Sequence, residues 1–211
     1  MLFILPTTAS AQQTIVVVGD SLSAAYGMAQ KEGWVALLAQ RLNDAHLPYR
    51  VINASISGET THGALTRFNG ILRAHQPNIT IIALGGNDGL RGLSLNAMKS
   101  NLAAMIEAAL AAQSEVVLAG MQLPPNYGRP FLRRFAQSYR TLADEYNITL
   151  IPFLLKGMEQ DLTLFQRDGI HPLNSAQPLI LENVWVYLLP LISTDKQAKN
   201  PSHIWGSSSK P

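Results

Sequence analysis

The sequence predicts an α/β fold of three layers, a parallel sheet with helices on both faces. Three observations carry this. Short β-branched runs recur that are apolar throughout rather than alternating, the mark of strands covered on both sides. Helical patterns with apolar spacings of three and four fill the gaps between them. The 211 residues suit one domain with a single core.

The elements follow in order. Ile15-Val16-Val17-Val18 reads as the first buried strand and runs out at Gly19-Asp20. Trp34, Leu37, Leu38, Arg41 and Leu42 lie along one helical stripe. Arg50-Val51-Ile52-Asn53 is the second strand, and Ala64, Leu65, Phe68, Ile71 and Leu72 make the next stripe. Ile79 to Leu84 is the third strand, ending at Gly85-Gly86. Residues 94–113 form a helix carrying Met98, Leu102, Met105 and Ile106 inward. Val116 to Ala119 is the fourth strand, Phe131 to Tyr146 a helix, and Ile148 to Ile151 a fifth strand stopped by Pro152. A C-terminal helix spans Leu179 to Leu189. Such strand–helix alternation gives a sheet between two helical layers.

Composition narrows the function. With 47% hydrophobic and only 14% charged residues, the bulk of the chain is not disordered. No apolar run reaches the roughly 20 residues of a membrane span, so no stable membrane anchor is expected. There is no cysteine, which excludes disulfides, thiolate nucleophiles and Cys-based metal sites. The net charge of +2 resides in the tail, where Lys196, Lys199 and Lys210 outnumber Asp195. The body is neutral and carries no nucleic-acid footprint. Residues 1–11 end in Ala9-Ser10-Ala11 and fit the end of a truncated signal segment cut after Ala11, placing the protein in the periplasm or outside the cell. The domain is expected over 12–193, and 194–211 as a flexible polar tail.

In open parallel sheets, ligands bind beyond the carboxyl ends of the strands. Small polar residues gather at that edge. Strand one leads into Asp20-Ser21-Leu22-Ser23, strand two into Asn53 to Gly58, strand three into Gly85-Gly86-Asn87-Asp88-Gly89, and Asp168-Gly169-Ile170-His171-Pro172 comes late. Ser21, at a strand-to-helix turn, is the candidate nucleophile. A serine hydroxyl needs a base, and His171 has a carboxylate, Asp168, three residues before it, where one tight turn lets it orient the imidazole. The Ser21 N–H, the Gly58 N–H and the Asn87 side-chain amide are candidate donors to an oxyanion. Met121, Leu123, Pro124, Pro125 and Tyr127 form an apolar loop after strand four, read as one wall of an acyl groove. Alone, each block reads equally as turn formers or a surface loop. Asp20 and Asp88 read as caps or loop braces, and His46, His62, His75 and His203 as surface or helix residues.

Together, these blocks resemble the SGNH, or GDSL-type, hydrolase family, its four letters falling on Ser21, Gly58, Asn87 and His171. The likeness spans roughly residues 14–190 and is strongest to the bacterial periplasmic thioesterases, proteases and lysophospholipases of that family and to its arylesterases. It implies a flavodoxin-like sheet ordered 2-1-3-4-5. It also implies cleavage of small acyl esters and thioesters through an acyl-serine, by a monomer with no metal and no cofactor. Two positions depart from the family pattern. Ala25 stands where Gly is usual before the Tyr, which stiffens the loop after Ser21. Leu173 replaces a common Asn after His-Pro, which alters a capping contact. Alternatives are a carbohydrate O-acetylesterase of the same family, a hard-metal phosphoesterase built on Asp20, Asp88, Asp168 and His171, and a non-catalytic binding module. No Gly-x-Gly-x-x-Gly run supports a dinucleotide, and no Gly-x-Ser-x-Gly elbow is present.

Overall fold

The computed structural model describes residues 12–198. Five strands form one parallel sheet: β1 (Gln13–Gly19), β2 (Tyr49–Asn53), β3 (Ile79–Ala83), β4 (Glu115–Ala119) and β5 (Thr149–Ile151). Their order is β2-β1-β3-β4-β5, as the family likeness implied. β1 lies between β2 and β3, with Val17 opposite both Asn53 and Ile81. Every residue of β1 and β3 is buried, which is why these strands read as unbroken apolar runs.

Six helices connect and flank the strands: α1 (Trp34–Asp44), α2 (Thr61–His75), α3 (Gly86–Leu90), α4 (Leu95–Ala111), α5 (Arg129–Tyr146) and α6 (Gln177–Ala198). α1 packs with α6, while α4 packs with both α2 and α5. Local chemistry sets their ends. The Thr60 and Ser94 hydroxyls cap α2 and α4 by accepting from Gly63 N and Ala97 N. α2 and α5 stop at Gln76 and Asn147, both in the left-handed region.

The structure differs from the sequence reading in two elements. Gly85 to Gly89, read as turn formers, instead caps and forms most of α3. Gly85 takes φ 109°, and the Tyr139 hydroxyl lies 2.2 Å from where a Cβ would sit, so only glycine fits the turn. The helix is then fixed from outside, since Asp88 accepts from both the N–H and the hydroxyl of Thr61, at 2.9 and 2.6 Å. α6 was expected to end at Leu189, before Pro190, and continues to Ala198. Proline removes the bond to the carbonyl four residues back, here that of Val186, a residue 64% exposed. The lost bond thus falls on the solvent side, where water replaces it at little cost. α6 therefore also runs past the boundary expected at residue 193. The proposed signal segment, 1–11, and residues 199–211 of the tail, including His203, lie outside the described residues.

Because β1 leads to β2 on one side while β3 lies on its other side, the connections diverge between the carboxyl ends of β1 and β3. Such a switch point opens a crevice. Ser21 follows β1 and Asn87 follows β3, so both flank it.

Candidate active site

Ser21 lies two residues past β1, in a turn closed by Ser23 N and Ala24 N donating to Asp20 O. Its Oγ is 2.9 Å from His171 Nε2, across 150 residues of sequence. His171 Nδ1 is 2.7 Å from Asp168 Oδ2. The second carboxylate oxygen of Asp168 accepts from the N–H groups of Ile170 and His171, both at 2.9 Å. These bonds, led by the His171 backbone N–H, hold the Asp168 pKa down to about 2. An ionised carboxylate only accepts, so Nδ1 carries the proton and Nε2 is left bare to accept from Ser21. The loop bearing the pair is a small closed hairpin. Phe165 bridges Pro172, Gln166 N donates to His171 O at 2.7 Å, and Gly169 N donates to Gln166 O.

Two further residues steady this junction, and sequence reasoning missed both. The Tyr26 ring lies 4.4 Å from that of His171, centroid to centroid. Gln166 Nε2 donates to Tyr26 O at 2.8 Å and to Pro172 O at 3.3 Å, joining the loop of Ser21 to the loop of His171. Ala25, one of the two departures from the family pattern, sits at φ 59°. A left-handed alanine costs about 1–2 kcal/mol, so the expected stiffness takes the form of local strain. Leu173, the other departure, caps its 3-10 turn without a side-chain bond.

Beside the serine, Asn87 Nδ2 donates to Asp20 Oδ2 at 3.3 Å. This bond fixes the amide with its nitrogen toward Asp20 and leaves its second N–H free for a ligand. Among the described residues, neither the Ser21 N–H nor the Gly58 N–H meets an acceptor. Gly58 is exposed at φ 77° and lies at the rim rather than in the cavity described below.

Asp20 is 2% exposed, and burial raises its pKa to about 6, against the opposing pull of the Leu22 N–H, the nearby His171 and the Asn87 amide. A folded value above the ordinary 3.8 means that the folded state binds the proton more tightly. Stability is therefore lost as pH rises from about 4 through 6. The stability of Asp20→Asn relative to the parent should improve by about 3 kcal/mol between pH 4 and pH 8. Thermal unfolding of both proteins at the two pH values checks this, and a gap independent of pH would contradict it.

A cavity of about 480 Å³ opens beside Ser21 and His171, within the range of small-molecule sites. Met121, Leu123, Pro124 and Pro125, from the apolar loop after β4, line it. Tyr127 does not: its hydroxyl donates to Leu90 O at 2.8 Å and its ring stacks on Phe131. It ties the loop to α3 and lies outside the cavity lining, not on the wall where its place in the loop put it. The remaining apolar walls are Leu22, Leu90, Leu132, Phe153, Leu155, Phe165 and Ile170, which lie outside the loop that the sequence reading assigned to the groove. Gly89 makes room for the loop, since a Cβ there would lie 2.6 Å from Leu123 Cδ1.

Of the other candidates, His62 is exposed on α2. Asp88 serves Thr61 rather than the cavity. Among the described residues no group of three His, Asp or Glu side chains gathers as metal ligands would.

Comparison with known proteins yields one family model, described as the GDSL-like lipase/acylhydrolase family, matching residues 17–176. Esterase TesA of Pseudomonas aeruginosa is 47% identical over 189 residues, spanning 90% of this chain and 94% of the relative. Thioesterase 1/protease 1/lysophospholipase L1 of Escherichia coli is 38% identical over 194 residues, 92% of each chain. The crystal structure of the psychrotrophic esterase EstA from Pseudoalteromonas, inhibited by monoethylphosphonate, superimposes with a TM-score of 0.82 at 38% identity, covering 86% of this chain and 99% of that one.

Proposed function

Because the chain belongs to the GDSL-like lipase/acylhydrolase family and is an ester-hydrolysing enzyme, we propose that it cleaves acyl esters and thioesters through an acyl-Ser21 intermediate. The observation that carries this reading is the unbroken chain from Ser21 Oγ to His171 to Asp168, at 2.9 and 2.7 Å. His171 Nε2 takes the Ser21 proton as Oγ attacks the carbonyl carbon. The oxyanion so formed accepts from the N–H groups of Ser21 and Gly58 and from Asn87 Nδ2. Collapse expels the alcohol or thiol, which takes its proton from Nε2. A water then gives a proton to the same nitrogen and attacks the acyl-serine, releasing the acid and restoring Ser21.

An organophosphonate should label the enzyme stoichiometrically and abolish ester hydrolysis, with the adduct on the peptide containing Ser21. An adduct on another serine would overturn the assignment.

The acyl chain lies in the cavity, whose apolar walls favour chains longer than acetyl over the carbohydrate O-acetylesterase alternative. Each buried substrate methylene contributes about 0.8 kcal/mol, or roughly fourfold in kcat/KM. Leu123→Ala should lower kcat/KM for octanoyl esters by about fourfold or more relative to acetyl esters. A ratio that stays constant while both fall together would make the loop a structural support only. The Ala9-Ser10-Ala11 run supports export with cleavage after Ala11, which the N-terminal sequence of secreted or periplasmic material tests.

A further inference from the structure

The two outer donors of the oxyanion site hang from different strands. Gly58 belongs to the loop after β2, and Asn87 to α3, after β3. The Gly58 loop is lightly held. Ile56, Ser57 and Gly58 are exposed; the stretch is tied to β1 by Ile56 N donating to Gly19 O, turned by Glu59 N donating to Ile56 O, and held at its far end by Arg67 on the Glu59 carboxylate, which leaves Gly58 itself, among the described residues, bound only through its carbonyl. Glycine at φ 77° has no side chain to fix its torsions. An N–H on such a loop would wander relative to Asn87 unless something joined the two.

Arg91 makes that join. It caps α3, its N–H donating to Asn87 O at 3.1 Å. Its Nη2 reaches across the rim and donates to Gly58 O at 2.8 Å. Among the described residues no carboxylate pairs with its guanidinium, so this charged donor is committed to a single backbone carbonyl. Asp88, one turn back on α3, bonds to Thr61 and draws the start of α2 to the same helix. Arg91 carries the tie three residues further, to the carbonyl of Gly58, which follows the donor N–H on the same residue.

We propose that Arg91 is a positioning residue for catalysis, holding the Gly58 N–H and the Asn87 amide at the spacing an oxyanion requires. This rests on the oxyanion roles given above. Arg91 touches no reacting atom. Its effect is confined to the transition state, where the two donors must converge on one oxygen, because ground-state binding draws on the apolar cavity instead.

Removing an oxyanion donor typically costs about 10²–10³ in kcat. Loosening one should cost less, about 10- to 100-fold by the same reasoning. The test uses the full-length enzyme with a neutral p-nitrophenyl butyrate, a butyryl thioester of anionic coenzyme A, and a trifluoromethyl ketone that forms a tetrahedral oxyanion on the nucleophile. Arg91→Met should lower kcat on both substrates by the same factor with KM nearly unchanged. The ketone's affinity should fall by that factor while product-acid inhibition stays constant. Arg91→Lys, with a shorter single donor, should recover part of the loss, and Arg91→Gln serves if the Met variant does not fold. A raised KM confined to the coenzyme A ester would make Arg91 an anion-binding residue and overturn the proposal, as would unchanged kcat on both. Phosphonate labelling of the parent at Ser21 is read separately, so failure of the acyl-serine reading is told apart from failure of the Arg91 role.

Discussion

His171→Ala should lower kcat toward p-nitrophenyl esters by about 10⁶-fold, the scale seen when a hydrolase loses the base of a serine nucleophile. The expectation follows from one contact. Ser21 Oγ has His171 Nε2 at 2.9 Å, and a serine hydroxyl left to water is a poor nucleophile at neutral pH. The Asp168 carboxylate cannot substitute, because it points at Nδ1 and is held by two backbone N–H groups. What activity survives should come from the oxyanion donors and substrate binding alone. The variant should fold normally and bind product acid as the parent does. Steady-state kinetics beside thermal unfolding make the check. A loss of under a hundredfold in a folded variant would mean that another group serves as base.

Asp168→Asn should cost about 10⁴-fold in kcat, the loss seen for the corresponding change in a protease triad. Asparagine can keep its oxygen on the N–H groups of Ile170 and His171, so the hairpin from Phe165 to Pro172 should persist. Its amide nitrogen then faces His171 Nδ1. Two donors cannot share that contact, so the imidazole proton moves to Nε2, where it confronts the Ser21 hydroxyl as a second donor. The geometry survives and the chemistry fails. With KM little changed and a native unfolding profile, the loss would be assigned to the tautomer. Near-full activity would remove Asp168 from its orienting role.

Of the candidate site groups, Ser21, Gly58 and Asn87 were legible because each follows an apolar strand and parallel sheets send such ends to one edge, whereas Asp168 and His171, well past β5, were legible by their three-residue spacing. The cavity was legible only on one wall. Met121, Leu123 and Pro124 stand in a loop, where apolar residues are conspicuous. Leu90, Leu132, Phe153 and Phe165 each sit beside or within other elements and carry the same local signature as core residues. Tyr127 shows the limit in the other direction. Its place in the apolar loop suggested the groove, but its hydroxyl found Leu90 O on a helix 37 residues earlier, a partner no local pattern indicates. Arg91 was passed over for a related reason, since an exposed arginine after a turn reads as solvated until the Gly58 carbonyl is seen beside it. Pro190 misled because proline's cost depends on which side of the helix loses the bond, and that is a tertiary property.

The 150-residue separation between Ser21 and His171 has a consequence for the growing chain. Ser21 emerges early in synthesis and its base among the last elements, and α6, which follows, closes against α1 through Gln177 Oε1, accepting from Trp34 N at 3.0 Å. A nascent or prematurely released polypeptide ending anywhere before residue 171 carries the serine without its activator. The contact between Ser21 and His171 can therefore form only once synthesis has passed residue 171.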